Sequence, residues 1–366
     1  MLPNKLQDGD TVKSTPKVRK LYGNRLIKGL RHFFDDFKGM EVINPDWNIH
    51  VARVRQFLDG LADDSELVAA MKDYHAGSEA FAHEYEQLAM YYVYRYMLDA
   101  VNDYDVLLKQ FKRRLDEKVR LLEEDTYRLS DFSEFGLRRR LSAEAQEMAV
   151  KALAEVELPA DSHFIGTSNV YLAKKFNLKP VGTMAHEWIM CTGQGNHKHN
   201  PAYSNWYALD AWVKEYGILN GIALTDTITT DCFLRDFQLT YATLFSGVRQ
   251  DSGDPYEWGD KMIAHYNSLG INPRTKTLLF SDSLDFERAT ALYDYFKDKA
   301  KVAFGIGTFI SNDTDEEALN IVMKTTKCNG MDVAKISDVA GKGMCKNPDY
   351  VDYLNRCIDY RMKNDK

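Results

Sequence analysis

The chain has no Cys-x-x-Cys pair. Its five cysteines, Cys191, Cys232, Cys328, Cys345 and Cys357, are odd in number and scattered. That spacing argues against a structural zinc site and against a disulfide framework, and fits reduced thiols in a cytoplasm. No apolar run approaches the length of a membrane span, and the start shows no signal-peptide pattern, so no membrane partner is expected. Basic excess is missing too: the formal net charge is −7. Nothing global points to nucleic acid or an anionic surface, and an anionic substrate has to be held by a local arginine cluster. Internal repeats and low-complexity tracts are absent. What is present is ordinary for a soluble globular protein, 45% hydrophobic and 28% charged, and 366 residues predict two domains rather than one small core.

The patterning changes along the chain. Residues 17–38 predict a helix with a solvated basic face, and residues 78–125 predict two long helices broken near Asn102-Asp103, with an aromatic stripe from Phe81 to Tyr96 suited to core or subunit interface. From residue 163 onward short β-rich runs alternate with helical patterns. The expected strands are His163–Ile165, Lys179–Thr183, Gly221–Thr225, Tyr241–Gly247, Thr277–Ser281 and Val302–Gly307. Expected helices are Ala202–Tyr216, Asp231–Phe237, Pro255–Ser268 and Leu284–Lys297. Such alternation predicts βα units around a parallel sheet, closed or nearly closed into an α/β barrel. A hairpin is expected from Asn320–Lys327 and Val333–Ser337 around Cys328-Asn329-Gly330, and a last helix over Pro348–Met362.

Ligand-type residues recur at the carboxyl ends of the expected strands, where barrel enzymes keep their chemistry. Gly166-Thr167-Ser168-Asn169 can bind phosphate through its N–H groups or can equally be a helix cap. His186 follows a strand. Asp226 and Thr227 close another, as a ribose or phosphate site would. The segment 246–255 reads as a loop after a strand at 241–245, with Arg249 as a fixed cation, Asp251 and Asp254 as acceptors for ribose hydroxyls or water-held Mg²⁺, and Ser252 and Gly253 cradling a phosphate. Asp282-Ser283 can be a ligand site or a cap by Ser283. His197 and His199 lack a third ligand, so no protein-held metal is expected.

The motifs FGLRRR (135–140), GTSN (166–169), GTMAHEW (182–188), LTDT (224–227), GVRQDSGDP (247–255), FSDSLD (280–285), FGIGT (304–308) and VAKISD…GK (333–342), in this order, resemble the nicotinate phosphoribosyltransferase family over about residues 130–350. The resemblance implies the fold of the type II phosphoribosyltransferases: an irregular α/β barrel (131–318) with a smaller α+β domain drawn from residues 1–130 and 319–366. It implies transfer of phosphoribose from 5-phosphoribosyl-1-diphosphate to nicotinate in NAD biosynthesis, with Mg²⁺ and coupled ATP hydrolysis, in a cytoplasmic homodimer.

Roles follow residue by residue. By resemblance, Phe135 stacks on the pyridine ring, Arg138 and Arg249 hold carboxylate and phosphate groups, and Asp251 lies by the ribose and ring nitrogen. Ser168 and Asn169 line the substrate side. Asp226, Thr227, Ser252 and Gly253 belong to the same rim. Asp282, Ser283, Gly305, Gly307 and Thr308 bind the 5-phosphate or nearby ribose, and His186 matches the family's phosphorylated histidine. The sequence departs from the pattern at its start, where the family's Asp-x-Tyr-Lys-x-Thr-Met type motif has no counterpart, and at Glu134 and Ala340, where Asp and Pro are usual.

Overall fold

Seven strands run parallel in one sheet: β1 (Ser130–Glu134), β2 (Ser162–Thr167), β3 (Lys179–Pro180), β4 (Ile222–Leu224), β5 (Gly247–Gln250), β6 (Thr277–Phe280) and β7 (Lys301–Ile306). Their spatial order is β3-β2-β1-β7-β6-β5-β4. That is chain order followed around a curve, with one seam between β3 and β4, so the sheet is an α/β barrel left open at one joint. The structure, a computed structural model, describes residues 104–219, 221–318, 324–339 and 343–364. The expected helix at 17–38, the break near Asn102-Asp103, the aromatic stripe and Ala340 lie outside the described residues.

Parallel strands flanked by helices are buried on both faces and need apolar residues on both. Phe132, Phe304 and Phe280 stand in register on the neighbouring strands β1, β7 and β6. They share one face, and Phe280 packs against Phe296 and Trp258 of the helices Phe286–Phe296 and Pro255–Ser268, which places this row outward. Residues one position along, Leu279 and Arg249, therefore point to the barrel axis; these two are also register partners. A second apolar cluster (Ala202, Ile228, Cys232, Ala334, Leu354 and Ile358) fastens the C-terminal helix Pro348–Asn364 to the barrel. Beside it, buried Arg361 pairs with buried Asp236 and donates to the Ala202 carbonyl at 2.7 Å.

Several expectations shift. Tyr241–Gly247 is not a strand: residues Leu239–Leu244 form a helix, and the strand is Gly247–Gln250. The run 241–245 is apolar enough for either element, and its Ala and Leu suit a helix that buries only one stripe. Arg249 consequently sits on a strand, and the loop begins at Asp251. The polar strand Ser130-Asp131-Phe132-Ser133-Glu134 was not expected; with a single large apolar residue it carries no strand signature, yet it is central in the sheet. Among the described residues the hairpin pairs Lys327–Cys328 with Met331–Asp332 around Asn329-Gly330 at φ 52° and 77°, and residues 320–323 of its expected first strand lie outside them. Caps differ as well: Asn169 accepts from Tyr171 and Leu172, and Asp285 rather than Ser283 caps the helix at 286. All five cysteines are free, and no described helix is long and apolar enough to cross a membrane.

Candidate active site

The rim is assembled from strand ends. His186 opens the helix His186–Gln194 after β3, Asp226 follows β4, Arg249 ends on β5 with Asp251 and Ser252 beyond it, and Ser281 follows β6. His186 Nε2 lies 3.0 Å from Asp226 Oδ1 and 3.6 Å from Asp251 Oδ2. The His186–Asp226 bond spans the open seam, so side chains join β3 and β4 where no backbone ladder does. Asp226 Oδ2 accepts from Ser252 Oγ at 2.7 Å and faces Lys335 Nζ at 3.1 Å, with Ser337 Oγ at 3.5 Å. Arg249 donates from Nε to Ser281 Oγ (2.8 Å), from Nη1 to Thr183 Oγ1 (2.7 Å) and from Nη2 to Asp251 Oδ1 (2.6 Å). A guanidinium has five N–H donors. Three are used here, and among the described residues two remain for a ligand.

Burial opposes ionisation of Asp226, but the hydrogen bond from His186, the Lys335 ammonium and the hydrogen bond from Ser252 hold its carboxyl well below the usual range. Asp251 is likewise penalised by burial, yet the Arg249 guanidinium keeps it low. Burial moves His186 below its ordinary pKa, against the pull of Asp226. A neutral imidazole beside an ionised carboxylate must carry its proton on Nε2, because the carboxylate only accepts. Nδ1 is then the basic nitrogen.

Phe135 and the arginines follow β1. The Phe135 N–H donates to Ile306 O at 2.8 Å, and its ring lies flat on Gly305: a Cβ there would sit 2.4 Å from Cδ2. The missing side chain of Gly305 therefore makes room for the Phe135 ring. Arg139 is the arginine whose field reaches Asp251 and Asp282; burial and the neighbouring Arg138 push its pKa down to about 10. Asn169 is buried, caps a helix and donates to Gln146 Oε1 at 2.9 Å, so it supports the rim from behind. Ser168 Oγ and Thr227 Oγ1 are buried without a hydrogen-bond partner among the described residues. Ser283 turns back through a φ of 53° to its neighbour Asp282 (3.1 Å), and Gly253 holds a φ of 82°. Gly307 precedes the short helix Thr308–Ser311.

Sequence reasoning missed Thr183, Ser281, Arg139, Lys335 and Ser337 as members of the site. The last two were visible only as part of VAKISD; nothing short of the chain's return across the seam tells that Lys335 meets Asp226, 109 positions earlier in the numbering.

His186, Asp226 and Asp251 are close enough together to hold a cation. One oxygen of each carboxylate, however, is already taken, Asp226 Oδ2 by Lys335 and Ser252 and Asp251 Oδ1 by Arg249, and the two positive charges of Lys335 and Arg249 balance the two carboxylates. The cluster does not fit a metal bound by protein alone. It fits Mg²⁺ arriving on a polyphosphate with its own waters, the usual habit of that ion.

A model of the nicotinate phosphoribosyltransferase (NAPRTase) family matches residues 130–361. Nicotinate phosphoribosyltransferase 2 of Pseudomonas aeruginosa is 50% identical over 252 residues, 68% of this chain and 62% of that protein. The nicotinate phosphoribosyltransferase of Herminiimonas arsenicoxydans is 47% identical over 263 residues, 70% of this chain and 65% of that one. The chain thus spans less than two thirds of the length of these relatives. The crystal structure of nicotinate phosphoribosyltransferase from Vibrio cholerae superposes with a TM-score of 0.70 at 32% identity, covering 92% of this chain and 85% of that one. That of the Porphyromonas gingivalis enzyme gives 0.71 at 28% identity, covering 95% and 90%. With a family match running from the first barrel strand into the C-terminal helix, the chain belongs to the nicotinate phosphoribosyltransferase family.

Proposed function

We propose that the protein joins nicotinate to 5-phosphoribosyl-1-diphosphate, releasing nicotinate mononucleotide and diphosphate, in the salvage branch of NAD biosynthesis. The observation that carries this reading is Arg249. It is oriented by Thr183, Ser281 and Asp251, keeps two donors, and shares its rim with Asp251 and His186. The reaction breaks the anomeric C–O bond to diphosphate and forms a C–N bond to the pyridine nitrogen, through a ribose with oxocarbenium character. Rate then comes from alignment and from neutralising charge. Phe135 stacks on the pyridine, Arg249 and the arginines at 138–139 take the carboxylate and phosphates, and the ionised Asp251 faces the cationic ribose. Asp282, Ser283, Gly307 and Thr308 lie toward the 5-phosphate. Mg²⁺ carried by the diphosphate offsets the charge of the leaving group.

ATP enters through His186. Nδ1 attacks the γ-phosphorus, the bond to the β–γ bridging oxygen breaks, and ADP leaves; Asp226 holds the imidazole by its other nitrogen. The phosphorylated side chain, carrying roughly −1.5 to −2 charges, draws the cationic rim together.

A carboxylate on a charged fork contributes about 1.5–3 kcal/mol, which nicotinamide cannot collect. Nicotinate is therefore preferred at least about tenfold. Comparable rates with the two bases in a steady-state assay would remove the reading.

The protein is further proposed to act as a homodimer in the cytoplasm. Exposed Ile218 and Leu219, each 69% accessible, with Trp206 and Tyr216 on the preceding helix, support an apolar contact surface, and a closed twofold pair is the commonest assembly. Light scattering at micromolar concentration is expected to give twice the 42.0 kDa of one chain; a monomeric mass contradicts it.

A further inference from the structure

Glu134 is fully buried, lies one residue before Phe135 and faces away from the rim. Three donors converge on its carboxylate. Gln146 Nε2 (2.9 Å) and Thr167 Oγ1 (2.6 Å) reach Oε2, and the Gly136 N–H reaches Oε1. Gln146 cannot turn its amide round, because Arg140 Nη1 (2.7 Å) and Asn169 Nδ2 (2.9 Å) both donate to its Oε1. The site therefore accepts only an acceptor. It also has no room to slide: a Cβ on Gly136 would fall 1.7 Å from Ser311 Oγ and 2.7 Å from Glu134 Oε1. The Glu134 carboxylate thus fixes the peptide between Phe135 and Gly136 from one side, while the Ile306 carbonyl fixes the Phe135 N–H and Gly305 supports the ring. Asn312 Nδ2 on the Arg139 carbonyl (2.7 Å) closes the far end of the turn.

We propose that Glu134 is a positioning residue that sets the Phe135 ring, and through it the affinity for the pyridine base, without touching substrate. The inference rests on the function proposed above. A buried carboxylate retained only for stability would affect both substrates alike, whereas a clamp on Phe135 acts on the base alone.

Glu134→Gln keeps the volume but sets an amide donor against the Gly136 N–H in one orientation and against Gln146 Nε2 in the other. It is expected to raise KM for nicotinate about tenfold, with KM for the phosphoribosyl donor changed less than about threefold. Glu134→Asp, which keeps the acceptor on a shorter arm, falls between wild type and Gln. Added to Phe135→Leu, Glu134→Gln produces no further rise, because its effect passes through the ring. Should Glu134→Gln not fold, Thr167→Val removes one donor and is expected to shift KM for nicotinate in the same direction by a smaller factor. Equal rises in both KM values, or a full effect of Glu134→Gln in the Phe135→Leu background, overturn the proposal. If the wild-type protein does not turn over these substrates, the function fails first, and a crystal structure of Glu134→Gln decides the positioning claim. Displacement of the 135–139 turn supports it; a Phe135 ring within about 0.5 Å of its wild-type place refutes it.

Discussion

Arg249→Ala is expected to lower kcat/KM for nicotinate by about 10²–10³-fold, the loss typical of removing one preorganised charged donor from a closed site. The alanine variant deletes three hydrogen bonds at once, to Ser281, Thr183 and Asp251, together with the two donors left for a ligand. It also leaves Asp251 without its nearest cation, so the carboxylate proposed to face the ribose titrates higher. Arg249→Lys separates these effects. It restores a charge but not the fork, and an ammonium cannot reach Ser281 and Thr183 in the same plane. Partial recovery of donor binding without recovery of nicotinate preference is expected for Lys. Steady-state kinetics with both bases reads the two outcomes, and an alanine variant within tenfold of wild type contradicts the role given to Arg249.

His186→Ala is expected to abolish ATP stimulation and to take up no acid-labile phosphate from γ-labelled ATP, with the fold retained. The side chain is at the rim, its Nε2 is held by Asp226, and burial keeps the ring neutral, which leaves Nδ1 basic and nucleophilic. Losing the ring also opens the side-chain bridge across the β3–β4 seam, so a modest fall in Tm accompanies the loss. His186→Asn keeps a polar group for Asp226 and is expected to recover stability without recovering the label. Label incorporation into the alanine variant equal to wild type rules out His186 as the acceptor.

Much of the barrel was legible because βα units repeat a period change that survives in a single sequence. Pro255–Ser268 was bounded correctly since Asp254 caps it and Pro255 occupies its first turn. The misread segment, 241–250, fails for a physical reason. An apolar run of five residues is compatible with a strand or with one buried helical stripe, and only the pairing of Gly247–Gln250 with β4 and β6 decides. β1 was hidden because its Ser133 and Glu134 are buried polar residues, Glu134 with its carboxylate satisfied by Gln146 and Thr167, which no hydrophobic pattern announces. His186, Asp226, Arg249 and Asp251, singled out from their types near expected strand ends, lie together in the structure. Their supports were not singled out: Thr183, Ser281 and Lys335 are ordinary residues that acquire meaning only from their contacts with Arg249 and Asp226. The same blindness hid the room that the missing side chain of Gly305 makes for Phe135.

The central claim is that this rim transfers phosphoribose to a carboxylated pyridine. The most direct measurement mixes purified protein with nicotinate, 5-phosphoribosyl-1-diphosphate and Mg²⁺, with and without ATP, and follows nicotinate mononucleotide and diphosphate together. Equal molar formation of both products, faster with ATP and at least about tenfold slower with nicotinamide in place of nicotinate, is the predicted result. Absence of nicotinate mononucleotide from a folded protein under these conditions, or equal turnover of the two bases, contradicts it.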